Sequence, residues 1–208
     1  MEENEQKPYT FSDDEAFATI GEAYYRGFGM MRNYDEAFRF YRKAAAMGNP
    51  AAMRRLGDCF LLGRGTKPDA ETALSWYENA SEKGDASATL RIGDFYRDGF
   101  NALITKDNQK ATDLYLTALQ QAKKNYDVWN APDIYLRIGD CMREGIGIEK
   151  DIEGAYDFYE AAANLFAERM DSGDSESEEL LEKADQGMKT CSEMLGVTEE
   201  LSNEPFDA

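Results

Sequence analysis

The sequence has no histidine among its 208 residues. Histidine is the commonest general base and a common metal ligand, so its absence excludes Ser/His and Cys/His nucleophiles and any histidine-based metal site. The glycine fingerprints of nucleotide-binding loops and a Cys-x-x-Cys pair are missing as well. We therefore expect a protein that is not an enzyme and that has no catalytic residues, no metal and no cofactor.

Cysteine is scarce, and so are long apolar runs. The three cysteines, Cys59, Cys141 and Cys191, are far apart and odd in number, which favours reduced core thiols over a disulfide framework. Residues 1–10 lack the basic and apolar regions of a secretory signal, and no run reaches the length of a transmembrane helix. We expect a cytoplasmic protein without a membrane partner.

Basic residues are outnumbered, with 23 Lys and Arg against 41 Asp and Glu and a net charge of -18. Most of the excess lies at the ends, because residues 1–15 contribute -5 and residues 171–208 contribute -10. Residues 16–170 are nearly balanced at -3. This distribution leaves no basic patch for a nucleic acid and favours a protein or peptide partner with basic groups.

The sequence does contain a repeat. The segments IGEAYYRGFG, LGDCFLLGRG, IGDFYRDGFN and IGDCMREGIG have first glycines 36, 36 and 46 residues apart. A second glycine follows each of these six residues later, and we expect it to end a helix in the left-handed conformation. The positions are Gly21, Gly57, Gly93 and Gly139, then Gly27, Gly63, Gly99 and Gly145.

Each second glycine is followed by a segment with an Ala-x-x-x-Tyr-x-x-Ala stripe. Spacings of four and three place these residues on one helix face, which we expect to be buried. The tyrosines are Tyr41, Tyr77, Tyr115 and Tyr159, and the alanines are Ala37, Ala44, Ala73, Ala80, Ala111, Ala118, Ala155 and Ala162. The first helix of each repeat has its own apolar column, Ile20, Leu56, Ile92 and Ile138.

These patterns predict an all-α chain. The eight repeat helices are predicted at 13–26, 34–47, 50–62, 70–83, 86–98, 108–125, 131–144 and 152–168. A last helix around LLEKADQGMKTCSEML has an apolar stripe suited to cover the open end of a stack. We predict a flexible acidic N-terminus at 1–12, a four-repeat solenoid at 13–168, an acidic linker with a capping helix at 169–198, and a flexible tail at 199–208.

The third repeat is ten residues longer than the others, mainly around KKNYDVWNAP. The extra residues are expected to lengthen helix 108–125 and the loop after it. Two interpretations stay open, an insertion that belongs to a binding surface and a tolerated surface loop.

The repeat resembles that of the Sel-one-like repeat (SLR) family, which is close to the tetratricopeptide repeats. The shared pattern, A-x-x-x-[LI]-G-x-x-[YF]-x-x-G-x-G and then A-x-x-[WYF]-[YF]-x-x-A-[AS], is nearly complete in residues 16–45 and 52–81. Asn101 replaces a glycine in the third copy, and Met142 replaces an aromatic residue in the fourth. The resemblance implies a right-handed α-α superhelix of four helix pairs that acts as an adaptor, and it implies no catalytic residue.

An acidic column follows the first glycines: Glu22, Asp58, Asp94 and Asp140. Arg55, Arg91 and Arg137 stand three residues before the aspartates, so intrahelical ion pairs are one interpretation. By analogy with tetratricopeptide geometry, the column faces a concave groove, where the carboxylates would receive basic or amide groups of an extended peptide.

Three residues further on, the next column is Tyr25, Leu61, Arg97 and Arg143. We expect Tyr25 to be exposed. The predicted partner-binding face consists of Glu22, Tyr25, Asp58, Asp94, Arg97, Asp140 and Arg143. The predicted function is a scaffold or adaptor for a protein segment. Two alternatives stay open, a self-associating structural protein and, more remotely, a hydrolase that uses a carboxylate pair.

Overall fold

A computed structural model of the chain describes residues 12–125, 127, 129, 131–174 and 177–197. The predicted flexible tail at 199–208, and the predicted N-terminal segment up to residue 11, lie outside the described residues. Within them the helices are α1 (Asp13–Arg26), α2 (Tyr34–Ala46), α3 (Pro50–Leu62), α4 (Ala70–Glu82), α5 (Ala86–Asp98), α6 (Asn108–Lys124), α7 (Ala131–Glu144), α8 (Ile152–Asp171) and α9 (Glu178–Leu195). The predicted all-α architecture of helix pairs is confirmed.

The chain divides into two compact units, Met1–Ala88 (unit 1) and Thr89–Ala208 (unit 2). Unit 1 contains the pairs α1/α2 and α3/α4, and unit 2 contains the pair α7/α8, the helices α6 and α9, and most of α5. The four pairs α1/α2, α3/α4, α5/α6 and α7/α8 correspond to the four predicted repeats. None of the helices in the described ranges is long and apolar enough to cross a membrane.

The turn inside each repeat is built the same way. The glycine that ends the first helix is left-handed, with φ of 79° at Gly27 and 67° at Gly63, as predicted. The N-cap residue of the second helix then donates its backbone N–H to a carbonyl of the first helix, over 2.7 to 3.0 Å in all four repeats. Its side chain caps the second helix by accepting a backbone N–H. These caps are Asn33, Asp69, Asp107 and Asp151.

The predicted stripe of the second helices is the core of both units. All eight alanines of the stripe and all four tyrosines are buried, which confirms the prediction. In the first helices Leu56, Ile92 and Ile138 are buried, but Ile20 is 37% exposed.

The third repeat accommodates its extra residues in a loop and a longer helix. Asn101 takes the left-handed conformation, with φ of 51°, at the site where other repeats have glycine; asparagine tolerates this region better than most residues. Phe100 pairs with Ile104 in an isolated bridge. Helix α6 has 17 residues against 13 in α2 and α4, as the sequence predicts.

The last helix packs against the fourth repeat. Ala184 and Cys191 of α9 are buried in one cluster with Tyr159 and Phe166 of α8, and Leu180 and Met188 pack against it. Helix α8 continues to Asp171, three residues beyond its predicted end. The segment that separates α8 from α9 is correspondingly shorter than the sequence suggests.

Candidate functional site: the tyrosine–carboxylate–arginine layer

The acidic column of the first helices is bonded to the tyrosine column of the second helices. In every repeat the tyrosine hydroxyl donates a hydrogen bond to the carboxylate that follows the first glycine. The four pairs are Tyr41 with Glu22 (2.8 Å), Tyr77 with Asp58 (2.8 Å), Tyr115 with Asp94 (2.8 Å) and Tyr159 with Asp140 (2.7 Å). Helix periodicity does not reveal this contact, although both columns recur at fixed positions in the sequence.

The glycine before each carboxylate makes room for the tyrosine ring. A Cβ atom built on Gly21, Gly57, Gly93 or Gly139 would lie 2.5 to 3.0 Å from the ring of the tyrosine in its own repeat. Real side chains do not approach this closely, so the ring lies directly on the backbone of the first helix. The glycine therefore sets the depth at which the tyrosine hydroxyl meets the carboxylate.

One arginine in each unit reaches the carboxylate of the preceding repeat. In unit 1, Arg55 donates to Glu22 of the preceding repeat at 2.8 Å and to Asp58 of its own helix at 3.4 Å. In unit 2, Arg137 donates to Asp94 of the preceding repeat at 2.9 Å. The intrahelical pair suggested by the sequence is present at Arg55 and Asp58, but its hydrogen bond is long. The shorter hydrogen bonds of Arg55 and Arg137 run to carboxylates of another helix.

The Glu22 carboxyl and the Tyr41 and Tyr115 hydroxyls of this layer keep their charge states at neutral pH. Burial would raise the pKa of the Glu22 carboxyl, but the charge of Arg55 and the hydrogen bonds from Arg26 and Tyr41 outweigh it, so this pKa lies below its ordinary value. Burial and the adjacent carboxylate raise the pKa of the Tyr41 and Tyr115 hydroxyls far above the ordinary value. These two phenols consequently stay protonated and donate, while Glu22 stays ionised and accepts from Tyr41.

The four predicted carboxylates differ in exposure. Asp58 is 5% exposed and lies within 4.0 Å of both Arg54 and Arg55. The side chain of Asp140, in contrast, is 37% exposed, and Arg143 reaches it at 3.6 Å. The sequence treats the column as uniform, whereas in the structure Asp58 is buried and the side chains of Glu22, Asp94 and Asp140 are partly exposed, at 27%, 26% and 37%.

Tyr25 is partly buried, contrary to the expectation of an exposed ring. The guanidinium of Arg64 lies 5.1 Å from the centroid of the Tyr25 ring, and Arg55 lies 5.7 Å from it. The ring of Tyr34 meets that of Tyr25 edge-on, with centroids 5.4 Å apart. The tyrosine is covered because α3 and the turn after it bring two arginines over its faces.

The two predicted arginines of unit 2 each bind a pair of acids. Arg97 donates to Asp98 at 2.6 Å and lies 3.3 Å from Asp94. Arg143 donates to Glu144 at 2.7 Å. Both side chains are partly exposed, at 27% and 22%. Each guanidinium is therefore held in place by carboxylates and still reaches solvent.

The described residues offer little support for a metal site or for a catalytic group. They contain no group of three or more cysteines and acids placed to hold a metal ion. All three cysteines are free and buried, and burial raises the pKa of the Cys59 thiol to about 12, which disfavours the reactive thiolate. The carboxylates of the column accept bonds from tyrosines, which is a positioning role and does not favour the predicted carboxylate-pair hydrolase.

Helix pairs with small residues at fixed positions, and with a polar layer repeated in each pair, define an α-helical repeat protein. The sequence matches the profile of the Sel1 repeat at residues 20–49, 50–85, 86–122 and 133–165. The chain belongs to the Sel1 repeat family. Proteins of this family generally mediate protein–protein interactions and are mainly scaffolds that are not enzymes.

Several solved structures are similar to this chain. A Sel1 repeat protein from Oxalobacter formigenes is 26% identical, with a TM-score of 0.64 over 91% of this chain and 76% of that one. The immunity protein Pa5087 from Pseudomonas aeruginosa is 18% identical, with a TM-score of 0.53 over 77% of this chain and 56% of that one. The protective antigen c5321 of uropathogenic Escherichia coli, which displays an SLR fold, is 23% identical with a TM-score of 0.48, and the match covers 87% of this chain and 46% of that one. No curated protein matches the sequence at a significant level.

Proposed function

We propose that this chain is a scaffold that binds a segment of another protein through the outward side of its tyrosine–carboxylate–arginine layer. In each unit the surface comprises the residues predicted from the sequence: Glu22, Tyr25 and Asp58 in unit 1, and Asp94, Arg97, Asp140 and Arg143 in unit 2. The observation that carries the proposal is the tyrosine bond to the carboxylate in every repeat. It holds the polar groups of the first helices in one conformation before a partner arrives, which lowers the entropy cost of binding.

We assign the contacts with the partner to Arg97, Arg143 and Tyr25. The carboxylates of the column hold internal donors in place and do not contact the partner first. Asp94 already accepts from Tyr115 and Arg137, and Glu22 accepts from Tyr41 and Arg55. Arg97 and Arg143 keep further N–H groups for backbone carbonyls or acidic side chains of a bound segment. The partner with basic groups favoured by the net charge stays a prediction, and it would require these carboxylates to exchange internal donors for external ones.

The test is affinity capture from native extract with the intact chain and with Arg97→Ala/Arg143→Ala, read by quantitative mass spectrometry. The matched control is Lys123→Ala/Lys124→Ala, which removes the same charge from exposed residues of α6 in the same unit. We expect a protein that the intact chain and the control retain and the arginine variant loses. Retention of the same proteins by all three, with unchanged thermal stability, would overturn the proposed surface.

A second candidate function, self-association, is favoured by the first repeat. Phe28 is 64% exposed, and Met30 and Met31 beside it are also exposed. Among the described residues, a Cβ on Gly29 would meet nothing within 4 Å, whereas Gly65 is packed against Tyr34 of the repeat before it. The turn of the first repeat therefore exposes the surface that, in the second repeat, packs against the preceding repeat. A mass that rises with concentration and falls to that of a monomer in Phe28→Ser/Met31→Ser would establish self-association.

A further inference from the structure

In unit 1, Tyr25 of the proposed surface belongs to a group of arginine and tyrosine side chains, Arg32, Arg64, Tyr25 and Tyr34, called the Arg–Tyr cluster below. Arg64 donates to the Tyr25 hydroxyl, and its guanidinium lies 5.2 Å from the centroid of the Tyr34 ring. Arg32 donates to the Tyr34 hydroxyl at 3.4 Å. The two cations and the two phenols thus converge at the turns of the first two repeats.

The cluster is positive in a chain whose net charge is -18. The other arginines near it have acidic partners, since Arg26 and Arg55 both bind Glu22. In the part of the chain that the structure describes, no carboxylate lies within 4.0 Å of Arg32 or Arg64, whose contacts are to phenols and rings. A guanidinium in this position keeps most of its five N–H donors for an external acceptor.

The backbone holds Arg64 in place. It stands between Gly63 and Gly65, which have φ of 67° and 72°. Its N–H donates to the Cys59 carbonyl at 2.9 Å. A Cβ on Gly65 would collide with the Tyr34 carbonyl oxygen, so the turn lies directly on the start of α2. The arginine side chain therefore leaves a rigid turn and not a mobile loop.

The phenols of the cluster add donors. Because Tyr25 accepts its hydrogen bond from Arg64, its own O–H proton is available to a ligand. Burial raises the pKa of Tyr25, which keeps it protonated at neutral pH. Guanidinium and phenol donors that converge with no carboxylate among their described partners match the oxygens of a carboxylate or a phosphate.

We propose that the Arg–Tyr cluster binds an oxyanion on the partner segment, either the carboxylate of an acidic residue or the phosphate of a phosphorylated one. The identity of the ligand as a protein segment rests on the proposed function. This ligand is anionic, whereas the net charge of the chain suggests a partner with basic groups. Both are compatible with the sequence, because the acidic excess lies at the chain ends and the cluster lies in the nearly balanced body.

Four short synthetic peptides, identical except for a central Glu, phosphoserine, Gln or Lys, are the probes. The readout is the shift of the Arg32 and Arg64 side-chain N–H resonances during titration of the full chain. We expect the Glu and phosphoserine peptides to shift both arginines and the Gln and Lys peptides to leave them unchanged. Tighter binding of the phosphoserine peptide would assign the phosphate source, and equal binding the carboxylate. Equal shifts with the Gln peptide would overturn the proposal.

Three variants separate specific recognition from bulk charge. Arg64→Gln is expected to weaken binding of the anionic peptides about tenfold, since hydrogen bonds to charged groups are among the strongest. Arg64→Lys, which keeps the charge and loses the planar fork, should bind with intermediate affinity. The control is Arg39→Gln, an exposed arginine of α2 that pairs with Glu36. If Arg39→Gln weakens binding as much as Arg64→Gln, the cluster is not a site.

A failure of the oxyanion proposal can be distinguished from a failure of the proposed scaffold function. Arg32 is exposed and lies before α2, so Arg32→Gln gives a second variant if Arg64→Gln disturbs the fold, and it is expected to weaken binding of the same two peptides. A partner lost by the unit 2 arginine variant but insensitive to both unit 1 variants would overturn the oxyanion proposal and leave the scaffold standing.

Discussion

At the scale of single residues, the tyrosine of each second helix makes two contacts that depend on each other. Its ring lies on the glycine of the first helix, and its hydroxyl reaches the acid directly after that glycine. Alanine at Gly57 would favour the helix by about 1 kcal/mol, yet its Cβ would lie 2.7 Å from the ring of Tyr77. Overpacking of this kind costs about 1–3 kcal/mol, so the glycine is required despite its poor helix propensity.

The hydroxyl contact should be worth more where the carboxylate is buried. Tyr77→Phe removes a donor from Asp58, which is 5% exposed, and we expect a loss of about 1–3 kcal/mol in the free energy of unfolding because water does not replace the donor there. Tyr159→Phe is the matched change at Asp140, and there we expect less than about 1 kcal/mol. Urea denaturation followed by circular dichroism measures both. Equal losses would mean that carboxylate burial does not set the cost.

Part of this residue-scale picture could be predicted from the sequence. The periodic Ala and Tyr stripe predicted the core, because burial follows helix periodicity. The partners of the acids could not be found in the same way. Spacing reveals neighbours on one helix, so it suggested Arg55 with Asp58, while the shorter bond of Arg55 is to Glu22, 33 residues away. Tyr25 was expected to be exposed, but Arg64 of the next repeat lies over its ring, and helix periodicity does not reveal such a neighbour.

At the scale of helices, the fourth repeat differs from the others because α9 covers it. The ring of Tyr159 has a glycine on two sides, Gly139 in its own repeat and Gly187 in α9. A Cβ on Gly187 would lie 2.6 Å from that ring. The last helix thus approaches the tyrosine column as closely as a first helix does. The role of α9 as a cap stays a prediction, and the contact between Gly187 and Tyr159 provides a way to test it.

Gly187→Val is expected to destabilise unit 2 by about 1–3 kcal/mol, because the side chain has no space beside Tyr159. Gln186→Val is the control, since it introduces the same β-branched residue at an exposed neighbour in the same helix and loses, beside helix propensity, only an exposed 3.3 Å hydrogen bond to Thr190. Thermal unfolding of both variants gives the comparison. If the two variants unfold at the same temperature, the packing of α9 on Tyr159 does not contribute to stability.

The helices themselves were largely predictable, and the reason is local. Glycines end the first helices, and seven of the eight predicted repeat helices begin and end within one residue of the observed bounds. The N-caps Asn33, Asp69, Asp107 and Asp151 were present in the sequence and were not used. The end of α8 was placed too early because no glycine follows it until Gly173.

At the scale of the whole molecule, two units offer different chemistry to a partner. Unit 1 presents the Arg–Tyr cluster and an apolar turn around Phe28, and unit 2 presents Arg97 and Arg143 beside their acids. The division at residues 88 and 89 falls inside α5. Repeat spacing does not show this division, since it follows from tertiary packing and not from periodicity. The predicted boundaries at 13–168 and 169–198 stay a prediction.

The cysteines make it possible to ask whether the units open separately. Cys59 lies in unit 1, Cys141 and Cys191 lie in unit 2, and all three are buried. Because a maleimide reacts with an accessible thiolate, labelling of each cysteine requires local opening. In repeat proteins stability is set mainly by adjacent repeats. We therefore expect Tyr77→Phe to speed labelling of Cys59 and Gly187→Val to speed labelling of Cys191, each with little effect on the other thiol.

Mass spectrometry of peptides from a labelling time course measures the three rates in one sample. Acceleration confined to the cysteine of the altered unit would mean that a partner can bind one unit while the other opens and closes. A common acceleration of all three would mean that the chain opens as one cooperative body. In that case binding at the Arg–Tyr cluster would slow the labelling of Cys191 as well as that of Cys59. A ligand that binds only the folded state stabilises every part of the chain that unfolds together with its site.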